Sequence, residues 1–419
     1  MLFMEVHKPV LVIGGGISGI SSALELAHSG FKVYLIEREA AIGGQAASFC
    51  CKATEVCTKC SVCLVPQKLK EVATHPQISI LTNSVVTEVS GEVGNFQVAV
   101  WQKPQYISPE KCIACGICLE ICPTEPKAIH SPSPEAIPYS YVIDETQCSR
   151  LRGQKCNLCQ GVCPTNAIDF DLKPEKQELR VGAIIAATGF EVFNAREVGS
   201  LGYSRYPNVL TGLDLERIFQ NQGSLKLPSN GKEPKKVAFI QCVGSRNESH
   251  GYCSQVCCKY AMRFARLIQY QKPDAKVTIF YIDLQTAGKG FAEFYEECRE
   301  SIRFIRGVPV EILETSSGEL EVRFENISEG RVGRETFDLV TLSVGIAPKK
   351  DSWDIAKILG INLGDYGFFD TREPLNSIET NVEGIFLAGT CQGPKDIPDS
   401  IAHATAAAER ATEVLERWK

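Results

Sequence analysis

Short apolar runs alternate with helix-like stretches in both halves of the chain. An apolar run from Val10 to Ile13 is followed by a helix-like segment and by a second run, Lys32 to Ile36. The pattern recurs in "KKVAFIQ" (235–241), "KYAMRFARLIQY" (259–270) and "KVTIFYID" (276–283). Short apolar runs separated by amphipathic segments are typical of buried parallel strands joined by helices. The pattern therefore predicts an α/β fold with two βαβ units.

The loop of the first βαβ unit contains a glycine motif. Gly14, Gly16 and Gly19 follow the first apolar run in G-x-G-x-x-G spacing, and Glu37 follows the second run. Glycines at these positions permit a tight turn and close approach to a pyrophosphate, and an acidic residue after the second strand accepts hydrogen bonds from a ribose. The complete strand, loop, helix and strand context predicts a bound dinucleotide.

Three further segments distinguish FAD from NAD. The pair Gly43 and Gly44 follows soon after Glu37, "AIIAATGF" occupies 183–190, and "VEGIFLAGTCQGPKDIPDSIAHATAAAERATEVL" begins at Val382. This layout resembles the two-dinucleotide-domain flavoproteins, in which the ATG stretch crosses the nucleotide domain and the carboxy-terminal GT segment reaches the flavin ribityl chain. The resemblance implies FAD as the cofactor. It adds these candidate FAD-binding residues: Arg38, Gln45, Thr188, Gly189, Gly389, Thr390, Lys395 and Ile397.

Charge and hydropathy narrow the range of partners. A net charge of -6 and a pI near 5.7 argue against nucleic acid or an anionic membrane as the main partner, since both favour a clustered positive field. No charge-free apolar run is long enough to span a bilayer, and the start of the chain leads into a glycine loop rather than resembling a signal peptide. We therefore expect a cytoplasmic protein.

The chain contains 19 cysteines, and all but Cys298 and Cys391 lie in four groups. A cytosol keeps thiols reduced, so grouped cysteines there predict metal binding rather than disulfides. Cys298 is predicted to be a small packed residue. Cys391 adjoins the carboxy-terminal GT segment, where it either contacts FAD or packs in the core.

Two cysteine groups have ferredoxin-like spacing. "CIACGICLEICPTEPKAI" (112–129) matches the bacterial C-x2-C-x2-C-x3-C-P run, whereas "CSRLRGQKCNLCQGVCPTNAI" (148–168) has seven residues after its first cysteine. In two-cluster ferredoxins the fourth cysteine of each run binds the other cluster. Structural zinc prefers paired C-x2-C knuckles and is disfavoured. Two [4Fe–4S] clusters are therefore predicted, one bound by Cys112, Cys115, Cys118 and Cys163, and the other by Cys148, Cys156, Cys159 and Cys122.

The ferredoxin-like runs interrupt a series of strand-like segments. "SVVTEVSG" and "NFQVAVWQ" precede them, and "ELRVGAIIAATG" follows. We therefore predict an α+β ferredoxin domain at 102–172, inserted into a β-meander where the two ends of a hairpin are already close together. The FAD-binding domain is then built from three segments, and the second βαβ unit forms a separate domain. The predicted ranges are 1–101, 173–230 and 336–419 for FAD binding, and 231–335 for the second unit.

The segment "CCKATEVCTKCSVC" contains five cysteines from Cys50 to Cys63. Three cysteines at x2 spacing and one of the adjacent pair would bind a further [4Fe–4S] cluster. A redox-active thiol pair is the competing interpretation, because flavin disulfide reductases place such a pair beside the isoalloxazine and Cys-x-x-Cys spacing lowers a thiol pKa. A dithiol does not need a third cysteine, which favours the cluster. The predicted ligands are Cys51, Cys57, Cys60 and Cys63, with Cys50 as an alternative to Cys51.

A cysteine loop occupies the position of a phosphate loop in the second βαβ unit. "CVGSRNESHGYCSQVCC" (242–258) stands where glycines would be needed for close approach to a nucleotide. The spacing fits neither a zinc ribbon nor a ferredoxin run, and adjacent cysteines are too constrained for an easy disulfide. The loop is interpreted as a [4Fe–4S] site that replaces the pyridine nucleotide of a thioredoxin-reductase-like flavoprotein. Its predicted ligands are Cys242, Cys253, Cys257 and Cys258.

Four motifs resemble signatures of the HdrA family, the A-type subunits of heterodisulfide reductase. They are "QCVGSR" (241–246), "YCSQVCC" (252–258), "LSVGIAP" (342–348) and "GPKDIPDS" (393–400), and the resemblance covers nearly the whole chain. It implies an FAD and iron–sulfur electron-transfer subunit of an anaerobic complex, and in some members flavin-based electron bifurcation. Short members occur in other assemblies, including the ATP-independent benzoyl-coenzyme A reductase complex. Relative to the longer methanogen form, we expect no separate amino-terminal domain and no carboxy-terminal ferredoxin.

The family resemblance also implies the partners. They are other subunits of the complex, namely HdrB-, HdrC- or HdrD-like proteins or MvhD-like electron carriers, together with ferredoxin. Lys395 in "GPKDIPDS" is the candidate for a fixed cation beside the flavin, where it would stabilise the anionic reduced form; the alternative is a solvated loop lysine. The alternative function is a stand-alone flavin-dependent disulfide or NAD(P)H oxidoreductase, which would need a nicotinamide phosphate loop.

Overall fold

The structure is a computed structural model that describes residues 8–131, 135–285 and 288–417. Residues 1–7 and 418–419, which belong to the first and last predicted segments, lie outside the described ranges. The strands are β1 Val10–Ile13, β2 Val33–Ile36, β3 Ile78–Leu81, β4 Ser84–Ser90, β5 Phe96–Gln102, β6 Ile129–His130, β7 Val142–Ile143, β8 Glu175–Val181, β9 Ala183–Ala186, β10 Glu191–Val192, β11 Val209–Thr211, β12 Lys236–Val243, β13 Lys276–Tyr281, β14 Arg303–Glu314, β15 Leu320–Asn326, β16 Arg331–Phe337, β17 Leu339–Val344, β18 Ile346–Ala347 and β19 Ile385–Leu387.

Helices cover the sheets and connect the strands. The α-helices are α1 Ile17–His28, α2 Leu64–Thr74, α3 Ile117–Ile121, α4 Leu158–Val162, α5 Gly212–Gln222, α6 Cys257–Gln271, α7 Phe291–Arg299, α8 Ser352–Leu359 and α9 Ile397–Arg417. Short 3₁₀ helices occur at Gln45–Ser48, Ala195–Glu197, Gly199–Leu201 and Gly389–Cys391.

The first sheet is a five-stranded parallel sheet in the order β19-β9-β1-β2-β3. Its strands are short, and β1 and β9 are buried along their whole length because helices lie over the sheet. Helices α1 and α9 pack together, with the Ser22 hydroxyl donating to the Ala404 carbonyl at 3.1 Å. The first and last parts of the chain thus share one core, which contains the first glycine loop.

A smaller antiparallel sheet has the strand order β4-β5-β8. The ferredoxin-like segment is inserted between its strands β5 and β8. Gln102 and Glu175 are paired across these two strands, so the segment leaves and re-enters the sheet at neighbouring positions. It contains α3, α4 and the short β6–β7 pair. Its contact with the first domain includes a bond from the Ile42 amide to the Ile137 carbonyl at 2.8 Å.

The second large sheet has seven strands in the order β11-β17-β12-β13-β14-β15-β16. β11 and β17 lie outside the predicted range 231–335, so that range is too narrow: the sheet begins at Val209 and ends at Val344. The sequence of a short apolar strand does not indicate which sheet the strand joins. The predicted ranges therefore assign β11 and β17 to the FAD-binding segments. β11 and β17 pair in parallel with neighbours that are distant in sequence.

Candidate flavin site and cysteine centres

A large cavity lies between the two sheets, and most of the predicted FAD-binding residues border it. Its volume is about 800 Å³, within the range that suits a large cofactor. Three predicted residues, Gly19, Gly43 and Gly389, do not line it. The predicted residues that line it are Gly14, Gly16, Glu37, Arg38, Gly44, Gln45, Thr188, Gly189, Thr390, Lys395 and Ile397.

The three glycines of the first loop have different surroundings. Gly14 has a φ of +111°, and a Cβ there would lie 2.3 Å from the Ala187 carbonyl oxygen. At Gly19 a Cβ would lie 1.8 Å from the Gly14 carbonyl oxygen, so this glycine permits close packing of helix on loop. A Cβ at Gly16 would meet nothing within 4 Å. Gly16 therefore borders open space at the N-terminus of α1, where a pyrophosphate fits.

Two charged residues after β2 form the distal end of this site. The Glu37 carboxylate accepts from the Gly15 amide at 2.6 Å and from the Glu39 amide at 2.9 Å. Burial raises the pKa of Glu37, although these two amides oppose the shift. Arg38 forms a short ion pair with Asp351, which also borders the cavity. Glu37 keeps lone pairs available for a ribose because each carboxylate oxygen accepts more than one bond.

The second glycine pair supports the first loop. The Gly43 amide donates to the Gly15 carbonyl at 2.8 Å. Gly44 has a φ of +55°, and a Cβ there would lie 2.9 Å from the Gly16 Cα. Only glycine combines this backbone conformation with such close approach.

A histidine fixes the carboxy-terminal GT turn. His403 Nδ1 accepts from the Gly389 amide at 2.8 Å, and His403 Nε2 lies 2.8 Å from the Ser377 carbonyl oxygen. This arrangement assigns the proton to Nε2, since a carbonyl can only accept. Burial, assisted by Lys395, lowers the pKa of His403 from 6.5 to about 4. His403 therefore holds the turn before Thr390 as a neutral imidazole.

Lys395 lines the cavity, whereas Cys391, in the same segment, does not. The Lys395 ammonium borders the cavity and donates to Gln392 Oε1 at 2.5 Å. Burial lowers its pKa, while Cys391 and Asp399 favour the charged form. The Cys391 thiol points into the protein and donates to the Ala186 carbonyl at 3.1 Å. Of the two roles considered for Cys391, the structure shows packing.

The ferredoxin-like segment brings its eight cysteines together as two sets of four, each around a small cavity. One cavity is bordered by Cys112, Cys115, Cys118 and Cys163. The other is bordered by Cys122, Cys148, Cys156 and Cys159. The seven-residue gap after Cys148 does not displace that cysteine from its set.

The fourth cysteine of each ferredoxin-like run accepts hydrogen bonds. The Ala167 amide donates to Cys163 Sγ at 3.3 Å, and Cys122 Sγ lies 3.3 Å from the Thr124 hydroxyl. Burial alone would raise the pKa of Cys122 and of Cys163, but the hydrogen bonds prevail and lower it. These two sulfurs are therefore the best stabilised as thiolates, the form that binds iron.

The cysteine loop of the second domain gathers its four cysteines at the start of α6. Cys257 and Cys258 are buried, and the Cys257 thiol lies 3.8 Å from the Val344 carbonyl oxygen. Burial, with Cys258 nearby, raises the pKa of Cys242 to about 11, and burial with Cys242, Cys258 and Cys253 raises that of Cys257. Buried thiols that disfavour ionisation in this way, as at Cys242 and Cys257, suit a site in which bound iron supplies the compensating charge.

Buried polar groups without partners lie near the loop. Both amide atoms of Gln241, which precedes Cys242, and the Ser343 hydroxyl, which precedes Val344, have no hydrogen-bond partner among the described residues. The backbone is also constrained, with positive φ values at Cys242, Arg246 and Gln255. Unpaired buried donors are costly unless a bound group accepts from them, and cluster sulfur can do so.

The segment from Cys50 to Cys63 spans the gap between the domains. Lys52 and Glu216 form a short ion pair in which both side chains are almost fully buried. Glu216 also accepts from the Cys50 amide at 2.8 Å and from the Tyr260 hydroxyl at 2.9 Å. Burial, reinforced by Glu216, raises the pKa of Cys50 to about 12. This thiol packs against the core of the second domain.

The other cysteines of that segment are not gathered around a cavity of their own. Cys51, Cys57 and Cys63 are exposed, while Cys60 is half-buried and borders the large cavity. Within residues 8–131, 135–285 and 288–417, no group of three or more His, Cys, Asp or Glu side chains surrounds a single-ion site. All 19 cysteines are free, and Cys298 is fully buried in a hydrophobic core, as predicted.

Sequence reasoning missed several charged residues of the cavity wall. Lys259 pairs with Asp396 at 3.3 Å, and Arg263 donates to the Thr58 carbonyl at 3.0 Å. Lys52 also lines the cavity. The only signal in the sequence was that these basic residues lie inside or directly after two cysteine groups. At such positions the sequence does not distinguish an exposed charge from a residue that contacts a cofactor.

In the described part of the chain, no helix is both long and apolar enough to cross a membrane.

Two family models match parts of the chain. The FAD dependent oxidoreductase family matches residues 9–52, which include the first glycine loop and the second glycine pair. The 4Fe-4S binding domain family matches residues 106–126, which include the first ferredoxin-like run. The chain thus contains an FAD-type and a [4Fe–4S]-type binding segment.

Curated relatives resemble the chain over nearly its whole length. The A-type subunit of the H(2):CoB-CoM heterodisulfide,ferredoxin reductase of Methanothermobacter thermautotrophicus is 41% identical over 428 residues, which cover 97% of this chain and 64% of that protein. The second A-type iron-sulfur subunit of the CoB--CoM heterodisulfide reductase of Methanopyrus kandleri is 44% identical over 433 residues, 98% of this chain and 65% of that protein. The chain therefore spans slightly less than two thirds of these relatives.

A solved structure resembles the fold. Thioredoxin reductase of Lactococcus lactis in its FR conformation matches 98% of this chain and 99% of its own chain, with a TM-score of 0.53 and 17% identity. At that identity the match concerns the fold alone. Together with the two family models, it confirms the predicted fold class, a thioredoxin-reductase-like α/β flavoprotein with a ferredoxin segment.

Proposed function

Since this chain belongs to the heterodisulfide reductase HdrA family over the part of those proteins that it spans, we propose that it is an FAD and iron–sulfur electron-transfer subunit of a redox complex. One observation supports this most. A single cavity bordered by the FAD-type residues is also bordered by each cysteine-bearing region: Cys60, Cys257, and His130 and Val142 of the ferredoxin-like segment. Flavin bound there would adjoin every proposed iron–sulfur region.

The residues around the cavity fit FAD, which supplies two-electron and one-electron redox chemistry when bound. Gly16 and the N-terminus of α1 would receive the pyrophosphate, and Glu37 the ribose. Lys395 would place a buried cation beside the isoalloxazine, where negative charge develops on reduction. Its contact with Gln392 holds the ammonium in position.

The ferredoxin-like segment would bind two [4Fe–4S] clusters. The two sets of four cysteines around separate cavities support the ligand assignment, in which each run contributes its fourth cysteine to the other set. Bonds to the sulfur atoms, such as that from the Ala167 amide to Cys163, would tune the reduction potentials. This segment, inserted between β5 and β8, forms one route for electrons to or from the flavin.

The cysteine loop at the start of α6 would bind a third cluster through Cys242, Cys253, Cys257 and Cys258. The cluster would take the place of the pyridine nucleotide of two-domain flavoproteins, and the fact that Cys257 borders the large cavity supports this. The helix N-terminus would stabilise the negative charge of the thiolate-bound cluster. Electrons would then enter or leave on this side through iron rather than through a hydride from NAD(P)H.

A fourth cluster would be bound by Cys51, Cys57, Cys60 and Cys63. Cys50 is engaged in the core of the second domain and is a poorer ligand than Cys51, which is exposed. The alternative for this segment is a dithiol, which would leave two of the four cysteines without a role.

The relatives' names mention heterodisulfide reductase and ferredoxin, and from these we extend the proposal to partners. This chain would exchange electrons with ferredoxin and with subunits that resemble HdrB, HdrC, HdrD or MvhD. The terminal substrate would be bound by those subunits. Flavin-based bifurcation would require crossed one-electron potentials at the flavin, which a potentiometric titration of the flavin measures.

Cofactor content tests the proposal. Protein purified without oxygen should contain one FAD and about sixteen iron and sixteen sulfide, four of each for every cluster. About twelve iron together with a titratable thiol pair would assign the Cys50–Cys63 segment to a dithiol. Absence of flavin and of acid-labile sulfide would overturn the electron-transfer function and leave a metal-binding scaffold.

A further inference from the structure

Arg263 lies on α6 about one and a half turns after Cys257, and its side chain points toward the Cys50–Cys63 segment. Its guanidinium donates to the Thr58 carbonyl at 3.0 Å, and it borders the large cavity together with Cys60. The ionisable groups that act on this guanidinium are Cys60, Asp396 and Cys57. A half-buried cation thus lies close enough to the two cysteines at the centre of the segment to interact with them electrostatically.

The charge of Arg263 has no partner of its own. Among the described residues, no carboxylate forms an ion pair with it, and Asp396 is paired with Lys259 at 3.3 Å. The contrast with Lys52 is clear, because the Lys52 ammonium on the same segment is neutralised by Glu216. A half-buried charge without a counter-charge is disfavoured, so an anion is expected on this side of the cavity.

Two buried hydrogen-bond donors at the same place also have no partner. Arg263 Nε and the Thr58 hydroxyl are both buried and make no hydrogen bond within the described ranges. An unpaired buried donor costs about 1–3 kcal/mol, and more when the group is charged. Both groups would be satisfied by one acceptor located between Thr58, Cys57 and Cys60.

A sulfur-rich anionic centre provides what these groups require. Four thiolates around a [4Fe–4S] core give a net negative charge in both oxidation states, and their sulfur atoms accept hydrogen bonds. Neutral thiols or a disulfide would supply no negative charge. The inference therefore rests on the proposed function, specifically on the assignment of a cluster to Cys51, Cys57, Cys60 and Cys63.

We propose that Arg263 is the counter-charge of this centre and that, with Thr58, it raises the reduction potential of the centre by hydrogen bonding to its sulfur. On reduction the centre gains one electron from the reduced flavin, its net charge changes from -2 to -3 with four thiolate ligands, and no bond is formed or broken. A fixed positive charge stabilises the more negative state. Arg263 thereby favours electron flow from the flavin toward the Cys50–Cys63 segment.

The cysteine loop of the second domain lacks such an uncompensated charge. Its arginine, Arg246, donates to the Asp283 carboxylate at 2.5 Å, and the negative charge of Asp283 opposes the effect of Arg246 at Cys242. The same flavin cavity would therefore adjoin two centres of unequal potential, with the centre beside Arg263 the better electron acceptor.

Substitution at Arg263 tests the inference through the midpoint potential of the centre. Anaerobic titrations followed by electron paramagnetic resonance would be carried out on the full chain, and the signal of the centre would be identified by its loss in Cys60→Ala. In Arg263→Gln, the ratio of reduced to oxidised centre at a fixed potential should fall at least tenfold, which is about 59 mV for a one-electron couple. Arg263→Lys, which keeps the charge, should recover most of the shift, and Thr58→Val should shift it less.

Arg266→Gln is the matched control, because Arg266 is on the same helix and its charge acts on Cys298 rather than on the segment. It should leave the midpoint unchanged. Equal midpoints for Arg263→Gln, Arg266→Gln and the unmodified chain, at about sixteen iron per chain, would overturn the inference and leave the cluster assignment intact. About twelve iron in the unmodified chain, with no signal lost in Cys60→Ala, would overturn the cluster assignment itself.

Discussion

The loops after β1 and after β12 occupy equivalent places in two βαβ units but have opposite chemistry. The first places glycines at the end of its strand and leaves open space beside Gly16 at the start of α1. The second places Cys257 and Cys258 at the start of α6 and fills the same position with buried thiols. If the proposed function is correct, the fold keeps the strand, loop and helix while it exchanges a backbone anion site for a metal site.

The two loops also share one cavity. Gly14 and Gly16 border it from the first domain and Cys257 from the second. The difference between the loops therefore does not separate two functions, because it places a proposed electron carrier where two-domain flavoproteins admit a nicotinamide. The following changes test that interpretation.

The largest effect is expected from Cys257→Ser with Cys258→Ser. The double variant should lose about four iron because serine is a poor iron ligand, and it should no longer exchange electrons with partner subunits. FAD should remain bound, since the groups that hold it lie in the first domain. Iron, sulfide and flavin analysis measures the loss of iron and the retention of FAD. Cys298→Ser is the control and should retain full iron, and equal iron in both variants would rule out the cysteine loop as a cluster site.

Gly16→Ala and Gly19→Ala separate ligand binding from folding in the glycine loop. A Cβ at Gly16 meets only open space, so Gly16→Ala should lose most of its FAD, yet it should melt like the unmodified protein when both are stripped of flavin. At Gly19 the new Cβ collides with the Gly14 carbonyl, so Gly19→Ala should lower stability by about 1–3 kcal/mol or more. Flavin content and thermal unfolding are the measurements. Stoichiometric FAD in Gly16→Ala would show that this loop does not bind the pyrophosphate.

Lys52→Met tests whether the buried ion pair between Lys52 and Glu216 stabilises the Cys50–Cys63 segment against the second domain. Removing one partner of a buried ion pair should cost about 3–5 kcal/mol because the Glu216 charge is left unpaired. Lys52→Met with Glu216→Gln should recover part of that loss. Chemical denaturation of the two variants gives the comparison, and equal stability of Lys52→Met and the unmodified chain would show that the pair contributes nothing.

The effect that is smallest near neutral pH is a pH dependence of stability at the GT turn. The pKa of His403 is about 4 in the folded chain and near 6.5 when exposed, so the unfolded state binds the extra proton between these values. The contribution of His403 is complete above pH 6.5 and is lost as pH falls toward 4, by up to about 3 kcal/mol. His403→Gln should flatten this part of the stability curve measured from pH 7 to 4. If stability falls equally with pH in His403→Gln and in the unmodified chain, a group other than His403 causes the pH dependence.

The sequence predicted features that depend on local spacing. The first glycine loop and the position of the cysteine loop follow from short motifs whose geometry is set within one strand, turn and helix. The extent of the second sheet did not follow, because β11 and β17 join it through parallel pairing with distant strands. Nothing in their residues distinguishes that sheet from the first.

The charged contacts across the cavity could not be predicted from the sequence either. The Lys52 and Glu216 pair joins residues from two domains, and the contact of Arg263 with Thr58 joins α6 to the Cys50–Cys63 segment. In the sequence these residues look like ordinary exposed charges. Their burial depends on how the domains meet, which no local pattern encodes.

Rapid mixing of the oxidised chain with reductants tests the central claim most directly. The claim is that a cluster replaces the pyridine nucleotide beside the flavin. Flavin absorbance would be followed under anaerobic conditions with a low-potential one-electron donor and, separately, with NADH or NADPH. The one-electron donor should reduce the flavin of the unmodified chain rapidly, and more slowly in Cys257→Ser with Cys258→Ser, whereas neither pyridine nucleotide should reduce it. Rapid flavin reduction by NADH or NADPH that persists in the double variant would contradict the claim.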